Sequence, residues 1–239
     1  PPFNMGEWGH EKLTNDARFA KYGMPGDGKP GGNYAFMSHM IHHLDEKDGK
    51  LGLVLANGSM SAGGKESAIR KKMIEDDLID CMISLPRNLF YTVPIPACLW
   101  FVTKNKNDGK SRKRNGETLF INARKIFTPV DRSHNELSEE QIQKIANTYR
   151  SFIGEKGSPK YEDVPGYCKV STIDDIGNEK NKFILTPGRY VEVEDIDYDY
   201  ESLSEKIEQF TQEYPILLKE SAEIDTEIQE KLKKIGFKI

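Results

Sequence analysis

The feature that most restricts the fold of this chain is an alternation of short apolar runs with helical stripes between residues 33 and 103. The runs 51–56, 79–85 and 97–103 have the length and composition of strands. A helical stripe precedes the first run, and another over 66–78 separates the first run from the second. Such alternation predicts an α/β fold in which helices pack against a sheet.

The strand patterns also predict neighbours in the sheet. The continuously apolar run Leu51–Ala56 is typical of strands buried inside parallel sheets that are covered on both faces. The Pro-rich segment 86–96 is too short for a crossover helix, so we expect the second and third strands to form an antiparallel pair at the sheet edge. Residues 118–122 indicate a further strand. Ser138 and Gln141 form a capping box, which predicts the start of a helix.

The two ends of the chain carry different patterns. Residues 4–32 are rich in glycine and lack periodicity, which predicts a long loop of the kind that is often functional. From 154 to 199 we expect only loops and short strands. Near the carboxyl end, apolar residues recur every three or four positions and predict a long helix with an apolar seam, which Pro215 kinks or splits. The seam consists of Leu203, Ile207, Phe210, Tyr214, Leu217, Ile224 and Ile228. It packs either against the core of this protein or against a partner helix.

Composition restricts the cellular setting and the partners. The net charge of −4 gives no general attraction to nucleic acid, so contact with DNA requires a local patch or a partner subunit. The basic cluster 110–114 is expected to be a solvated hairpin tip that could contact phosphates. Three widely separated cysteines, Cys81, Cys98 and Cys168, suggest a reducing compartment. No apolar run is long enough for a membrane span, and we expect a cytoplasmic protein without membrane contact.

Two further motifs match known metal and phosphate sites only in part. His39 and His43 share one helical face, but the Glu that would follow the first His of a zinc protease is missing, so no metal site is predicted. The loop 58–66 resembles a phosphate-binding loop only in part. Ser59 stands where the first glycine is required, and Glu66 stands where Ser or Thr would bind magnesium.

Pro1-Pro2-Phe3 is an unusual beginning for a domain. The proline rings stiffen the backbone and remove donors, so that carbonyl groups are available to an outside group and Phe3 stands on a rigid support. A site that holds a flat ring by stacking, with its amino group bound to backbone oxygens, needs such residues. Alternatively, Phe3 simply packs in the core. Phe90 and Tyr91 are ordinary core or rim aromatics by themselves, but together with Phe3 they could enclose an extruded base.

As an ordered set, these residues resemble the modification (methyltransferase) subunits of type I restriction-modification systems, which are adenine-N6 DNA methyltransferases. Pro1-Pro2-Phe3-Asn4 is similar to the Asn-Pro-Pro-Phe motif of that family without its leading Asn. The similarity continues through 32–36, 49–55, 69–70 and 83–91, and it ends at Lys104. It is strong over 1–104 and weak over 105–239.

The resemblance implies a fold and a mechanism. The fold would be the carboxy-terminal half of a Rossmann-like methyltransferase sheet, followed by a mostly helical tail. An adenine extruded from the duplex would lie with its amino group on the leading Asn and the Pro1 carbonyl, and with its ring stacked on Phe3. Pro1, Pro2 and Phe3 would thus be catalytic, Phe90 and Tyr91 would bind the base, and the loop 4–32 would flank the substrate groove.

The resemblance also implies S-adenosylmethionine as the methyl donor, delivered by proximity rather than by acid-base chemistry. Nothing in the sequence is similar to the Gly-rich loop and acidic residue that bind this cofactor in the family, so we identify no cofactor-binding residue. We therefore expect the carboxy-terminal part of a longer subunit, unable to methylate DNA alone. Its expected parts are 1–125, half of the catalytic domain; 126–199, an extension; and 200–239, a helical segment for subunit contact.

The partners implied by the resemblance are DNA, a restriction subunit and a specificity subunit. The specificity subunit is expected to contact Leu203, Ile207, Phe210, Leu217, Ile224 and Ile228. Two alternatives remain open: a non-catalytic assembly module, and a methyltransferase that acts on an amine outside DNA. The residues that precede Pro1 in the parent protein would discriminate between an enzyme and an assembly module.

Overall fold

The computed structural model describes residues 1–28, 31–91, 94–191 and 200–234. In the last range, the side chains of 200–209, 212, 227 and 230 lie outside the description. The chain forms two compact units, Pro1–Glu194 and Asp195–Ile239. Across the described ranges, no helix is long and apolar enough to cross a membrane. The boundary expected at residue 125 stays a prediction.

The first unit is built from strands and helices. The strands are β1 Lys50–Ala56, β2 Ile79–Ser84, β3 Ala97–Thr103, β4 Glu117–Asn122, β5 Thr128–Pro129, β6 Asn135–Glu136 and β7 Cys168–Thr172. The helices are α1 Gly31–His42, α2 Gly64–Glu75, α3 Glu139–Ile153 and α4 Ile173–Gly177, and the second unit consists of α5 Tyr200–Lys234. The strand expected at 118–122 is therefore confirmed. In the first unit, helices and strands alternate from α1 to β2, and a run of strands up to β6 follows before α3.

A five-stranded sheet in the order β1-β3-β2-β4-β7 forms the centre of the first unit. Strand β2 is buried at every position. Its side chains alternate between two cores: Met82 packs with α1 and α2, whereas Cys81 and Ile83 pack with α3. Helices therefore cover both faces of the sheet, and the predicted α/β class is confirmed.

The predicted strand neighbours were correct only in part. Strands β2 and β3 are antiparallel, as expected, but they lie inside the sheet because β1 flanks β3 and β4 flanks β2. Strand β1 is antiparallel to β3, and its residues Lys50, Gly52 and Val54 are exposed. The prediction that β1 is a parallel strand buried on both faces was therefore wrong. The only parallel pair in the described sheet is β2 with β4. The sequence of an apolar run does not show whether the neighbouring strand is parallel or antiparallel. The path of the connecting chain decides that direction.

Helix α3 begins as the sequence predicted. The Ser138 hydroxyl accepts a hydrogen bond from the Gln141 amide, and the Gln141 side chain accepts one from the Ser138 amide. The helix ends at Gly154, whose φ of 68° is a left-handed conformation that glycine adopts without steric cost. These two signals fix the length of the helix that covers one face of the sheet.

In the basic cluster 110–114, Lys110, Arg112 and Lys113 are exposed as expected, but the prediction of a solvated side chain was wrong for Arg114. Arg114 is 1% exposed, and its guanidinium donates to both carboxylate oxygens of Asp80, at 2.7 and 3.1 Å. The Tyr149 hydroxyl donates to the same carboxylate at 2.6 Å. Burial disfavours the charged Arg114, but the bonds to Asp80 outweigh burial and raise its pKa. The ion pair therefore joins the segment before β4 to β2 and α3.

A second buried cation reinforces this junction. The Lys106 ammonium donates to the Asp77 carboxylate at 2.6 Å and to the carbonyls of Ile79 and Glu117 at 2.8 and 2.7 Å. Burial lowers the pKa of Lys106, and Asp77 opposes that shift. The three acceptors belong to the start of β2, the turn before it and the start of β4. One ammonium group thus aligns the two parallel strands.

The described part of the second unit is one helix that includes Pro215, so a split at Pro215 was wrong, and a kink there stays a prediction. Five of the seam residues are exposed, with Phe210 at 65%, and the Phe210 and Tyr214 rings stack with centroids 5.5 Å apart. The exposed seam residues are Phe210, Tyr214, Leu217, Ile224 and Ile228. The side chains of Leu203 and Ile207 lie outside the described part of the chain.

The buried ion pair leads to a stability prediction. We expect Arg114→Met to lower the free energy of unfolding by about 3–5 kcal/mol, because it leaves the Asp80 carboxylate buried without its cation. The control is Arg150→Met, which removes an exposed pair with Glu155 and should cost about 0–1 kcal/mol. Urea denaturation measures both values. Equal losses in the two variants would show that Asp80 finds another partner.

Candidate functional site

The first three residues lie at the rim of the core that faces α3. Pro1 and Pro2 are exposed, and Phe3 is half-buried against that core. The ring of Phe3 contacts the ring of Phe90, with centroids 6.1 Å apart and planes at 78°. Phe90, on the loop after β2, is itself 39% exposed. The structure thus brings together two aromatics that the sequence singled out from distant segments.

The near-perpendicular rings of Phe3 and Phe90 form a corner rather than a parallel sandwich. A flat ring stacked on one of them would meet the other at its edge, and both arrangements are favourable aromatic contacts. The exposed Pro1-Pro2 segment borders this corner and contributes backbone carbonyls. The arrangement has an apolar face next to hydrogen-bond acceptors, which suits a nucleobase with an amino group. Base binding by these residues stays a prediction.

Tyr91 has a different neighbour. Its side chain is 89% exposed, and its ring stacks on the imidazole of His134, with centroids 4.0 Å apart and planes at 14°. His134 directly precedes β6 in the hairpin of β5 and β6. One face of Tyr91 is therefore covered by the hairpin, and its expected contact with a base would use the other face.

The residue after Phe3 has a strained backbone that a buried side chain holds in place. Asn4 has a φ of 51°, in the left-handed region that Asn tolerates better than most residues. Its amide donates to the Asn33 side-chain oxygen at 3.0 Å, and the Asn33 side-chain nitrogen donates back to the Asn4 side chain at 2.9 Å. Asn33 lies in the first turn of α1 and is 0% exposed. The sequence pattern gave no separate role to Asn33.

The amino-terminal segment lies so close to the start of α1 that two helix residues must be glycine. The Gly32 amide donates to the Met5 carbonyl at 3.0 Å, and a Cβ atom on Gly32 would lie 2.5 Å from that oxygen. A Cβ atom on Gly31 would lie 1.7 Å from the Gly26 carbonyl oxygen. Both distances are far below van der Waals contact. A Gly-Gly pair before a helical stripe is therefore the sequence signal for this close contact.

The expected long loop has a defined path over its described residues, 4–28. The indole nitrogen of Trp8 donates to the Gly26 carbonyl at 2.8 Å, and the Trp8 ring packs against Phe19 with centroids 5.7 Å apart. Short 3-10 helices at His10–Lys12 and Ala17–Phe19 interrupt the loop. Between loop and α1 lies a mostly apolar cavity of about 230 Å³. It is lined by Met5, Trp8, Leu13, Arg18, Phe19, Ala35, Phe36 and His39.

The loop that carries Phe90 is held from the hairpin of β5 and β6. Asn88 has a φ of 60°, and its carbonyl accepts from the Asn135 amide at 2.8 Å. The Asn135 side-chain nitrogen donates to the Arg87 carbonyl at 2.9 Å, and Asn135 is 9% exposed. No sequence signal pointed to Asn135, because the segment around it has no periodicity.

The histidines of α1 have local partners. The Arg18 guanidinium lies 2.8 Å from the Nδ1 atom of His39, and the His39 and His43 rings lie 4.5 Å apart. Partial burial, with His43 and Arg18 nearby, lowers the pKa of His39. Within the described residues, no group of three or more His, Cys, Asp or Glu side chains could hold a metal ion.

The glycine-containing passage from β1 to α2 supports the loop 4–28. Its nearest acidic residue, Glu66, is buried, and its carboxylate accepts from the Gly26 amide at 2.8 Å. That carboxylate supports the loop 4–28 and is not available to a ribose.

The close contact at Gly31 can be tested with a matched glycine. We expect Gly31→Ala to destabilise the protein by about 1–3 kcal/mol or more, because its methyl group collides with a backbone carbonyl. Gly28→Ala is the control, since a Cβ atom there meets nothing within 4 Å. Urea denaturation gives the stability, and limited proteolysis reports opening of the loop. A neutral Gly31→Ala variant would contradict this path for the loop.

Comparison with known proteins identifies the family of this chain. A family model described as N-6 DNA Methylase matches residues 1–199. The chain is 42% identical to the HindI type I restriction enzyme methylase subunit of Haemophilus influenzae, across 99% of this chain and 50% of that protein. It is 37% identical to the MjaIX methylase subunit of Methanocaldococcus jannaschii, across 99% of this chain and 41% of that protein. The chain thus spans about half the length of these relatives.

Solved structures agree with the fold. A type I restriction-modification system methyltransferase subunit from Streptococcus thermophilus matches with a TM-score of 0.68 and 28% identity, over 81% of this chain and 37% of that chain. The EcoKI M protein matches with a TM-score of 0.53 and 16% identity, over 90% of this chain and 50% of that chain, which supports the fold alone. With the family match over most of its length, the chain belongs to the N-6 DNA methylase family and is similar to the methylase subunits of type I restriction enzymes.

Proposed function

We propose that this chain is the base-holding part of a DNA adenine-N6 methyltransferase, the methylase subunit of a type I restriction-modification system. The observation that carries the proposal is the contact of Phe3, next to the exposed Pro1-Pro2 segment, with Phe90. Identity above one third to named methylase subunits supports the same activity. The enzyme acts on adenine in DNA, and S-adenosylmethionine supplies the methyl group.

Each group at the corner has a task in holding an extruded adenine. Phe3 stacks on the purine ring, and Phe90 contacts the ring from its edge. The Pro1 carbonyl accepts a hydrogen bond from the exocyclic amino group. Because the proline rings restrict the backbone, this acceptor needs little reorganisation when the base arrives. The residues of this chain thus orient the amino nitrogen, and the expectation that the chain cannot methylate DNA alone stays a prediction.

Exposed cations on the segments that carry and hold Phe90 support DNA as the substrate. Arg87, Arg124, Lys125 and Arg132 are exposed on the Phe90 loop, on the segment after β4 and on the hairpin that holds the loop. Lysine and arginine side chains next to an extruded base would contact the phosphates on either side of it. These cations supply the attraction that the net charge of −4 does not.

Stacking on Phe3 has a measurable consequence. A base stacked on an aromatic side chain gains about 1–3 kcal/mol, so Phe3→Ala should lower kcat/KM for DNA by about 5- to 150-fold. Phe3→Tyr keeps the ring and should retain most of the activity. The assay is methyl transfer to duplex DNA by the full methylase subunit with its specificity subunit.

The control for lost packing is Phe101→Ala, since Phe101 is a half-buried phenylalanine of the same core. It should reduce stability but leave kcat/KM nearly unchanged. Full activity of Phe3→Ala would remove the basis of the proposed function.

We assign α5 as the contact for the specificity subunit, and the restriction subunit joins the complete enzyme. Phe210, Tyr214, Leu217, Ile224 and Ile228 present an exposed apolar stripe along the helix, interrupted once by Ser221. Apart from Ser221, the spacing alternates between three and four residues, the pattern by which helices pack along a shared seam. Exposed apolar side chains in such a row favour burial against another protein. Leu203 and Ile207 extend the proposed contact on the sequence pattern alone.

Charge on this stripe should prevent assembly. We expect Leu217→Asp with Ile224→Asp to abolish binding of the specificity subunit, because two carboxylates would be buried without partners. Thr226→Asp is the matched control, since it places the same charge on another face of the helix. Size-exclusion chromatography of the mixed subunits measures binding, and circular dichroism checks folding. Unchanged binding by the double variant would reject the assignment.

A further inference from the structure

The two aromatics of the proposed base site share an unusual local arrangement. Phe3 is followed by Asn4, with a φ of 51°, and Phe90 lies two residues after Asn88, with a φ of 60°. Left-handed backbone is unfavourable for residues other than glycine unless the surroundings hold it. In the first segment the side chain of buried Asn33 binds Asn4, and in the second the backbone amide of buried Asn135 binds the Asn88 carbonyl while its side chain binds the neighbouring Arg87 carbonyl.

We propose that Asn33 and Asn135 are positioning residues that set the relative placement of Phe3 and Phe90 and thereby the seat of the extruded base. The proposal rests on the proposed function. Neither side chain is assigned to the base itself. Each acts through the backbone of the segment that carries an aromatic ring.

Asn33 has the geometry for this task. It exchanges two hydrogen bonds with Asn4, at 3.0 and 2.9 Å, and it lies on the rigid first turn of α1. Next to it, the bond from Gly32 to Met5 fixes the following residue. The direction in which Phe3 leaves the chain is therefore determined by a helix that packs on the sheet.

Asn135 acts in the same way on the other ring. Its amide and its side-chain nitrogen donate to two successive carbonyls, those of Asn88 and Arg87. The stack of Tyr91 on His134 adds a further contact between loop and hairpin. Because this hairpin follows β4, the position of Phe90 is tied to the central sheet.

The experiment uses the full methylase subunit assembled with its specificity subunit. We expect Asn33→Ala and Asn135→Ala each to lower kcat by about 10- to 100-fold, because misplacement of reacting groups by about 1 Å has effects of this size. The affinity for S-adenosylmethionine should not change. A duplex with 2-aminopurine at the target position reports extrusion of the base, and its fluorescence increase should be smaller in both variants.

A conservative variant and a structural control separate positioning from stability. Asn33→Asp keeps an oxygen that accepts from the Asn4 amide, and a helix amino terminus favours its charge, so it should retain more activity than Asn33→Ala. Asn181→Ala is the matched control. Asn181 is 6% exposed and donates its side-chain nitrogen to the Asp175 carbonyl at 2.8 Å, outside both segments. It should keep the wild-type kcat and fluorescence.

The outcomes distinguish this inference from the proposed function. If Phe3→Ala loses activity while Asn33→Ala and Asn135→Ala keep kcat and fluorescence, the positioning role is wrong and the proposed function stands. If Asn181→Ala falls as far as the other two, their effect is structural and the inference is overturned. If Phe3→Ala keeps full activity, both fall together.

Discussion

The buried ion pair between Arg114 and Asp80 is the interaction on which the placement of the candidate site depends. It joins the segment before β4 to β2, and the Tyr149 hydroxyl brings α3 to the same carboxylate. The Lys106 ammonium also joins β2 to β4, because it donates to a backbone carbonyl of each strand. Ionised groups with this degree of burial are tolerated only when they are fully paired. The pairing therefore holds β4 beside β2 in one register, and the chain leaves β4 at a defined point.

The position at which the chain leaves β4 determines where Phe90 lies. After β4, the amide of Ala123 donates to the Ser84 carbonyl at the end of β2, and the hairpin of β5 and β6 follows. Asn135 then holds the loop that begins where β2 ends. The Phe90 loop thus leaves β2 and is held by the hairpin that follows β4. A site formed by loops acquires its precision from the rigid elements below it.

The other half of the corner depends on α1. Gly31 and Gly32 allow the chain after Phe3 to lie against the helix, and Asn33 fixes Asn4 there. The loop 4–28 is closed on itself by Trp8 and tied to α2 by Glu66. The aromatic rings thus meet because two independent supports, one helical and one from the sheet, converge at the same edge of the core.

The sequence by itself determined the α/β class, the capping box of α3, the pairing of β2 with β3 and the apolar stripe of α5. These follow from periodicity and short-range hydrogen bonds, which act between neighbours in the chain. It also singled out Phe3 and Phe90, through an ordered set of motifs. Only the tertiary structure decided that β1 is antiparallel, that Arg114 is buried with Asp80, and that Asn33 and Asn135 hold the two aromatic segments. Each of these contacts joins residues that are distant in sequence. Neither the hydrophobic pattern nor the residue type shows which distant group a side chain will contact.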